Sequence, residues 1–444
     1  MKSSYVKCKI PHKGFDEDKR NDPSKADLRV SDNFSMKEMD KIIKVKIEDY
    51  TGDPFEFRVR KDLGGNNDES AYGDGKQYVQ DADIDLLGAE ALDAANYVQR
   101  QNWTPVRSGE YGLYGHYDGN GKTVSNLYIN LDIDSDQGVG LFGALGSGSS
   151  LKNVTVVSGS VFGNHRVGGV CGWNYYGTIE GCRNGAEVSA RNNYIGGICG
   201  ENYGVISTSH NTGAVKGSGY DVGGVCGANA PYSSIISCGN EGTVTGNSRV
   251  GGVCGYNNLN ASITGSRNRA DVSGYFVVGG VCGGNRGSAI VACYNTGSVS
   301  ASTNQAGGVC GSSSSVDVGE ESEFLGYIIA CYNTGSVSPL SSYGSVCGQN
   351  NLGGISACLW LPRGGERAVG GDVNTNQYGT YSFGSYWPGE GMIPEGSWEG
   401  TRWGIYDRNG NGTADGYWKS LGTWTPGGTP SGVNSVFPKL WWEE

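Results

Sequence analysis

A parallel β-helix, with one coil to roughly every 28 residues, is the fold class that this sequence predicts. Two observations carry the prediction. First, a phrase G-G-[VI]-C-G recurs seven times, with its cysteines at Cys171, Cys199, Cys226, Cys254, Cys282, Cys310 and Cys347; the last copy is relaxed to Gly344-Ser345-Val346-Cys347-Gly348. Successive cysteines lie 28, 27, 28, 28, 28 and 37 residues apart, and a fixed period of this size means stacked identical units. Second, apolar residues within each unit come in three short beats separated by Gly, Asn, Ser and Thr, with no i, i+3, i+4, i+7 pattern. In the first full unit the beats are Val170/Cys171, Ile179 with Cys182, and Val188. Three short strands per coil follow. Eight or nine coils at about 4.8 Å each make a rod of roughly 40 Å.

The elements run as follows. Residues 1–75 form an N-terminal charged segment and small β unit: Ile42–Ile47 and Phe55–Arg60 alternate apolar and polar residues, as strands do. Residues 76–137 hold entry coils and a cap, with helix-compatible sequence between Leu86 and Gln101. Residues 138–360 are the repeat stack. Residues 361–444 are a Trp-rich, loop-rich C-terminal cap. Caps matter because an open final coil offers its edge to another chain.

Two asparagine columns keep step with the phrase. Asn174, Asn202, Asn229, Asn257, Asn285 and Asn350 follow the cysteine by three; Asn184, Asn211, Asn240, Asn268, Asn295 and Asn333 follow the second beat by two. Asn tolerates left-handed backbone, so these amides are expected to ladder along the turns. One coil upstream, Phe142 stands where Cys171 does and Val154 where Cys182 does. The position therefore needs an apolar filler rather than a thiol.

These residues resemble the GLUG motif. Gly196-Gly197-Ile198-Cys199-Gly200-Glu201-Asn202, with Ile206, Asn211, Gly213 and Val215, carries the likeness, and it extends over about residues 78 to 360. The resemblance implies a right-handed β-helix in secreted or surface proteins of Gram-negative gut anaerobes, adhesin-like and without catalytic residues in the repeat.

Composition sets bounds on partners. Net charge is −11 and the pI about 5.0, which disfavours nucleic acid and anionic membrane surfaces. There is no 18-residue apolar run and no apolar core in Met1–Ile10, so neither a transmembrane helix nor a signal peptide is visible. A surface location then implies that the chain is the mature fragment of a longer precursor. Thirteen cysteines is an odd number. Side chains stacked on parallel strands point the same way, which suits a disulfide poorly. Buried free thiols are expected, with cross-core pairs such as Cys171–Cys182 as the alternative. No CxxC pair or Cys/His cluster points to zinc.

Three places invite chemistry. Asp407, Asn409, Asn411 and Asp415, with Gly412, resemble a calcium loop, since oxygens at alternate positions wrap a hard cation; a plain Asx-rich turn is the alternative. Asp132-x-Asp134-x-Asp136 is a weaker version. Trp173, Tyr175, Tyr176, Tyr203 and Tyr256 cluster near the turn after the phrase, while Arg183, His210, Arg267, Tyr294 and Tyr332 share another outward column. Such columns suit stacking on host or dietary glycans, or shield turns without a ligand. An acidic insertion at 312–324 is a third place where the period breaks. The functional expectation is a monomeric, non-enzymatic cell-surface protein presenting a face for glycan or protein binding. The alternative is a β-helix lyase or glycosidase, which requires clustered carboxylates that the repeats do not supply.

Overall fold

A computed structural model describes residues 76–86, 102–106, 112–132, 138–317, 323–324, 326–339, 343–356, 358–360, 368–373, 376–378, 381–382, 418–420, 439–440 and 443. The chain is an all-β parallel solenoid, and each strand pairs in register with its counterpart one coil on: Cys171 with Cys199, Cys199 with Cys226, Cys226 with Cys254. Among the described residues, no helix is long and apolar enough to cross a membrane.

Each coil passes through four sheets rather than three strands. The cysteine sheet has nine strands, among them Cys171–Asn174. The isoleucine sheet (Thr178–Glu180 and equivalents) and the asparagine sheet (Arg183–Asn184 and equivalents) have eleven each. A thirteen-stranded valine sheet closes the coil, taking in both Glu187–Ala190 and Ile195–Gly196. The expected second beat is thus two strands. A left-handed residue divides it in each coil from Ser150 to Tyr332: Asn153, Gly181, Thr208, Ser237, Gly265, Ala292 and Ala330 have φ between 47° and 64°. That conformation turns the chain from one sheet to the next.

The asparagines do form ladders, but not in left-handed turns. Their side chains are buried within the stack, and none has positive φ. The amide of Asn184 donates to Asn211 Oδ1 (2.9 Å), Asn211 to Asn240 (2.9 Å), Asn240 to Asn268 (2.8 Å) and Asn268 to Asn295 (2.8 Å). The same amides also donate to local carbonyls, Asn240 to Gly242 O at 2.8 Å. Asn174, Asn202, Asn229, Asn257 and Asn285 form a second ladder, which ends on Ser313. These amides hold neighbouring coils together and satisfy nearby carbonyls; at the end of the Asn174 column Asn350 Oδ1 is left without a hydrogen-bond partner among the described residues.

Twelve described cysteines are free and buried. The column of the repeated phrase donates each thiol to the carbonyl two residues on, as Cys254 does to Tyr256 O at 3.2 Å. The second column alternates chemistry. Ser209 Oγ accepts from the Cys182 amide (3.1 Å), Ser266 Oγ from the Cys238 amide (3.1 Å) and Cys293 Sγ from the Ser266 amide (3.4 Å). Burial pushes the Cys182 and Cys238 thiols up to about 12, so they stay protonated and apolar.

One boundary moves. Val369–Val373, Asn376–Tyr378 and Tyr381–Ser382 pair with the coil of Cys347, so the stack continues beyond residue 360. The insertion forms a short antiparallel pair, Val316–Asp317 with Glu323–Phe324, and Phe324 reaches back to the Tyr232 ring at 6.3 Å. The N-terminal unit, the helix-compatible stretch after Leu86, and Asp407, Asn409, Asn411 and Asp415 lie outside the described residues.

Two substitutions test the packing. A Cβ on Gly252 would lie 2.1 Å from Gly280 O and 2.3 Å from Asn268 Cγ, so Gly252→Ala is expected to cost more than about 4 kcal/mol in urea denaturation. Ser266→Ala strands the Cys238 amide and costs about 1–3 kcal/mol. Ser266→Cys, which copies the neighbouring coils, stays within about 1 kcal/mol of the wild type.

Candidate functional site: an aromatic and charged strip beside the cysteine sheet

The outward position of the cysteine strand, two residues after the cysteine, holds a different side chain in almost every coil. Trp173, Glu201, Ala228, Tyr256, Gly284, Ser312 and Gln349 stand in register. Beside it, within the valine sheet, runs a bend five residues before each cysteine. Its left-handed residues are Arg166, Tyr194, Asp221, Arg249, Val277 and Gln305, with φ between 49° and 67°. Left-handed backbone costs a non-glycine residue about 1 kcal/mol or more, and side chains retained there deserve a reason.

The two columns interlock. Arg166 lies over the Trp173 ring at 4.5 Å and pairs with Glu201 at 2.7 Å. Arg249 grips Asp221 through two hydrogen bonds, 2.5 and 2.9 Å, and lies over Tyr256 at 4.3 Å. Gln305 donates to Gln349. Burial raises the Glu201 carboxyl against the pull of Arg166. Burial likewise pushes Asp221 up, to about 6, with Arg249 opposing. Tyr203, beside Glu201, is pushed up to about 12 by burial and by that carboxylate.

Toward the isoleucine sheet the strip meets a cluster of rings. Trp173 and Tyr175 lie 5.0 Å apart, Tyr175 and Tyr176 4.8 Å, and Tyr176 and Tyr203 5.9 Å. Tyr175 and Tyr176 are 41% and 54% exposed. Tyr176 has φ of 60°, which holds its ring out from the corner. The structure therefore brings Trp173, Tyr176 and Tyr203 together and sets Tyr256 on the same strip, against Arg249.

Tyr294 and Tyr332 are elsewhere. They stack at 4.7 Å on the asparagine sheet and are 2% exposed each, so they present no ring face to solvent. Asp132 pairs with Arg191 at 2.9 Å, while Asp134 and Asp136 lie outside the described residues. Among the described residues no group of three His, Cys, Asp or Glu side chains is placed to hold a metal ion. Arg166, Asp221 and Arg249 escaped the sequence expectations. They always precede the cysteine by five residues, a register signal that their varied chemistry conceals.

Comparison with known proteins bears on the repeat. Residues 163–189 match the family described as the GLUG motif. Halomucin of Haloquadratum walsbyi is 33% identical over 150 residues, 33% of this chain and 2% of that protein. The chain thus matches only a small part of that relative's length. A solved crystal structure, a "putative immunoglobulin A1 protease" from Bacteroides ovatus, aligns with a TM-score of 0.39 at 16% identity, covering 67% of this chain and 81% of that one.

The buried acid gives a pH signature. Asp221 holds its proton more tightly folded than unfolded, because its folded pKa of about 6 exceeds the ordinary 3.8. Its contribution to stability is complete below about pH 4 and is lost as pH rises through 6. Relative to Asp221→Asn, the wild type should therefore lose roughly 2–3 kcal/mol between pH 4 and pH 7, read as paired urea midpoints.

Proposed function

We propose that this protein is a non-catalytic, cell-surface β-solenoid that holds a host or dietary glycan against the aromatic corner of the Cys171 and Cys199 coils. One observation carries the reading: four rings, Trp173, Tyr175, Tyr176 and Tyr203, gather at one corner beside the fixed Arg166–Glu201 ion pair. An aromatic ring offers a flat apolar face to the C–H side of a sugar. The guanidinium and carboxylate beside it hydrogen-bond hydroxyls at the sugar's edge. Trp, Tyr and Arg are also the residue types that dominate binding energy at interfaces. The ion pair is set before any ligand arrives, so little ordering is required on binding.

A non-catalytic role fits the carboxylates. Glycosidases need an acid free to reach the glycosidic oxygen. Glu201 and Asp221 are buried and committed to Arg166 and Arg249. The net charge of −11 suits a neutral or locally cationic target better than a polyanion bound along the whole rod.

A glycan array followed by titration on intrinsic Trp fluorescence tests the reading. Binding without release of new reducing ends is expected, and Tyr176→Ala and Trp173→Ala should each weaken it about tenfold. Tyr176 is exposed, so its variant keeps the wild-type melting temperature. Sugar release from the bound glycan, unchanged affinity in both variants, or capture of proteins only would each overturn it.

A further inference from the structure

The outward column of the asparagine sheet holds a second, chemically different site. In register it carries Arg183, His210, Gly239, Arg267, Tyr294 and Tyr332. The coil of Arg267 adds a second guanidinium two residues on, Arg269. Over them lies a segment from the far end of the chain. Lys439–Leu440 pairs with Trp418–Ser420, Leu440 is fully buried, and Glu443 is 7% exposed.

Glu443 is held on both oxygens. Its Oε1 accepts from Arg267 Nη1 at 2.6 Å, from Arg269 Nη2 at 2.8 Å and from the Tyr294 hydroxyl. Its Oε2 accepts from the Leu440 amide at 2.8 Å. Arg269 also donates to the Tyr294 oxygen at 3.0 Å, so these two donors are tied to each other. These contacts cross 174 and 176 residues of sequence. Local chain geometry does not bring them about.

The charge arrangement is that of a receptor. With Glu443 in place, two guanidiniums face two carboxylates, Glu443 and Glu241. Glu241 is about half exposed, so water screens its share of the neutralisation. The Tyr294 and Tyr332 rings lie parallel, 4.7 Å apart and 4° from coplanar, beside the carboxylate. Paired guanidiniums beside a phenol hydroxyl match a carboxylate, and a hexuronate is the sugar that carries one.

We propose that Arg267, Arg269 and Tyr294 form a carboxylate-recognition site, that Glu443 fills it in cis, and that the carboxylate of an acidic sugar competes with Glu443 for it. Binding there would exchange the C-terminal segment for ligand. The proposal stands apart from the aromatic corner, which lies on other sheets and recognises sugar without needing its charge.

Chemical rescue in the full-length chain is the test. Glu443→Ala should lower the melting temperature by about 5 °C. Sodium glucuronate should restore it, with sodium acetate restoring less, and sodium chloride or glucose at matched concentration restoring nothing. Arg269→Met in the Glu443→Ala background should abolish the rescue; Arg269 is 46% exposed, so this variant is expected to fold. Saturation-transfer NMR should show glucuronate contacting the Glu443→Ala protein and fading in the wild type. An unchanged melting temperature in Glu443→Ala, or rescue by chloride alone, would overturn the site. Equal rescue by acetate and glucuronate would overturn the acidic-sugar assignment. A wild-type dimer that Glu443→Ala dissociates, seen by sedimentation velocity, would overturn occupancy in cis.

Discussion

The solenoid depends on one contact across its core, between the buried asparagine of the asparagine sheet and the second glycine of the repeated phrase. A Cβ on Gly169, Gly197 or Gly224 would fall 2.2 Å from an atom of Asn184, Asn211 or Asn240; on Gly252, Gly280 or Gly308 it would fall 2.3 Å from Asn268, Asn295 or Asn333. The amide lies flat on bare backbone. Only glycine leaves room for it, and only a short planar amide reaches both the next coil and the local carbonyl. The pairing is visible in its exceptions. Below the stack, Val156 takes the asparagine position and Leu141 the glycine position. Above it, Trp360 and Ser345 stand there. Where the amide ends, the glycine ends.

Much of this was legible in the period, and some was not. The interval between cysteines sets the coil, and Phe142 and Val154 show that the cysteine positions are filled for volume. The asparagines announce ladders. The asparagines do bond the turns that follow them, as Asn184 Oδ1 accepts from the Ala186 amide at 3.2 Å; only the left-handed backbone is absent, because burial rewards an amide that also bonds along the axis. The corners instead hold Arg, Tyr, Thr, Ser and Ala at positive φ. Stacking repeats the strain in each coil, and the hydrogen bonds of neighbouring coils offset it. The fourth sheet was invisible because its strands are two residues long and carry no apolar beat of their own.

The candidate sites were legible in part, for a similar reason. Trp173, Tyr176, Tyr203 and Tyr256 stand out by residue type. Arg166, Asp221 and Arg249 do not, because side chains from consecutive coils interlock across 28 residues or more of sequence. The Glu443 contact spans far more and repeats nowhere, so no period could reveal it.

A division of labour follows from the geometry. Interior columns are bound to their neighbours above and below, so a change in one coil disturbs two others; they stay nearly uniform from Cys171 to Cys347. The outward position after the cysteine has no such tie, and it passes through Trp, Glu, Ala, Tyr, Gly, Ser and Gln along the stack. Gly284 illustrates the freedom: a Cβ there would meet Tyr256 at 3.2 Å and Arg249 at 3.3 Å, so its bareness lets those two side chains lean across the next coil. Uniform columns hold the rod together, while chemistry collects where neighbouring coils differ. The Arg166–Glu201 and Asp221–Arg249 pairs reach between coils for this reason. Each fixes the orientation of an aromatic ring on a scaffold too repetitive to build a cleft.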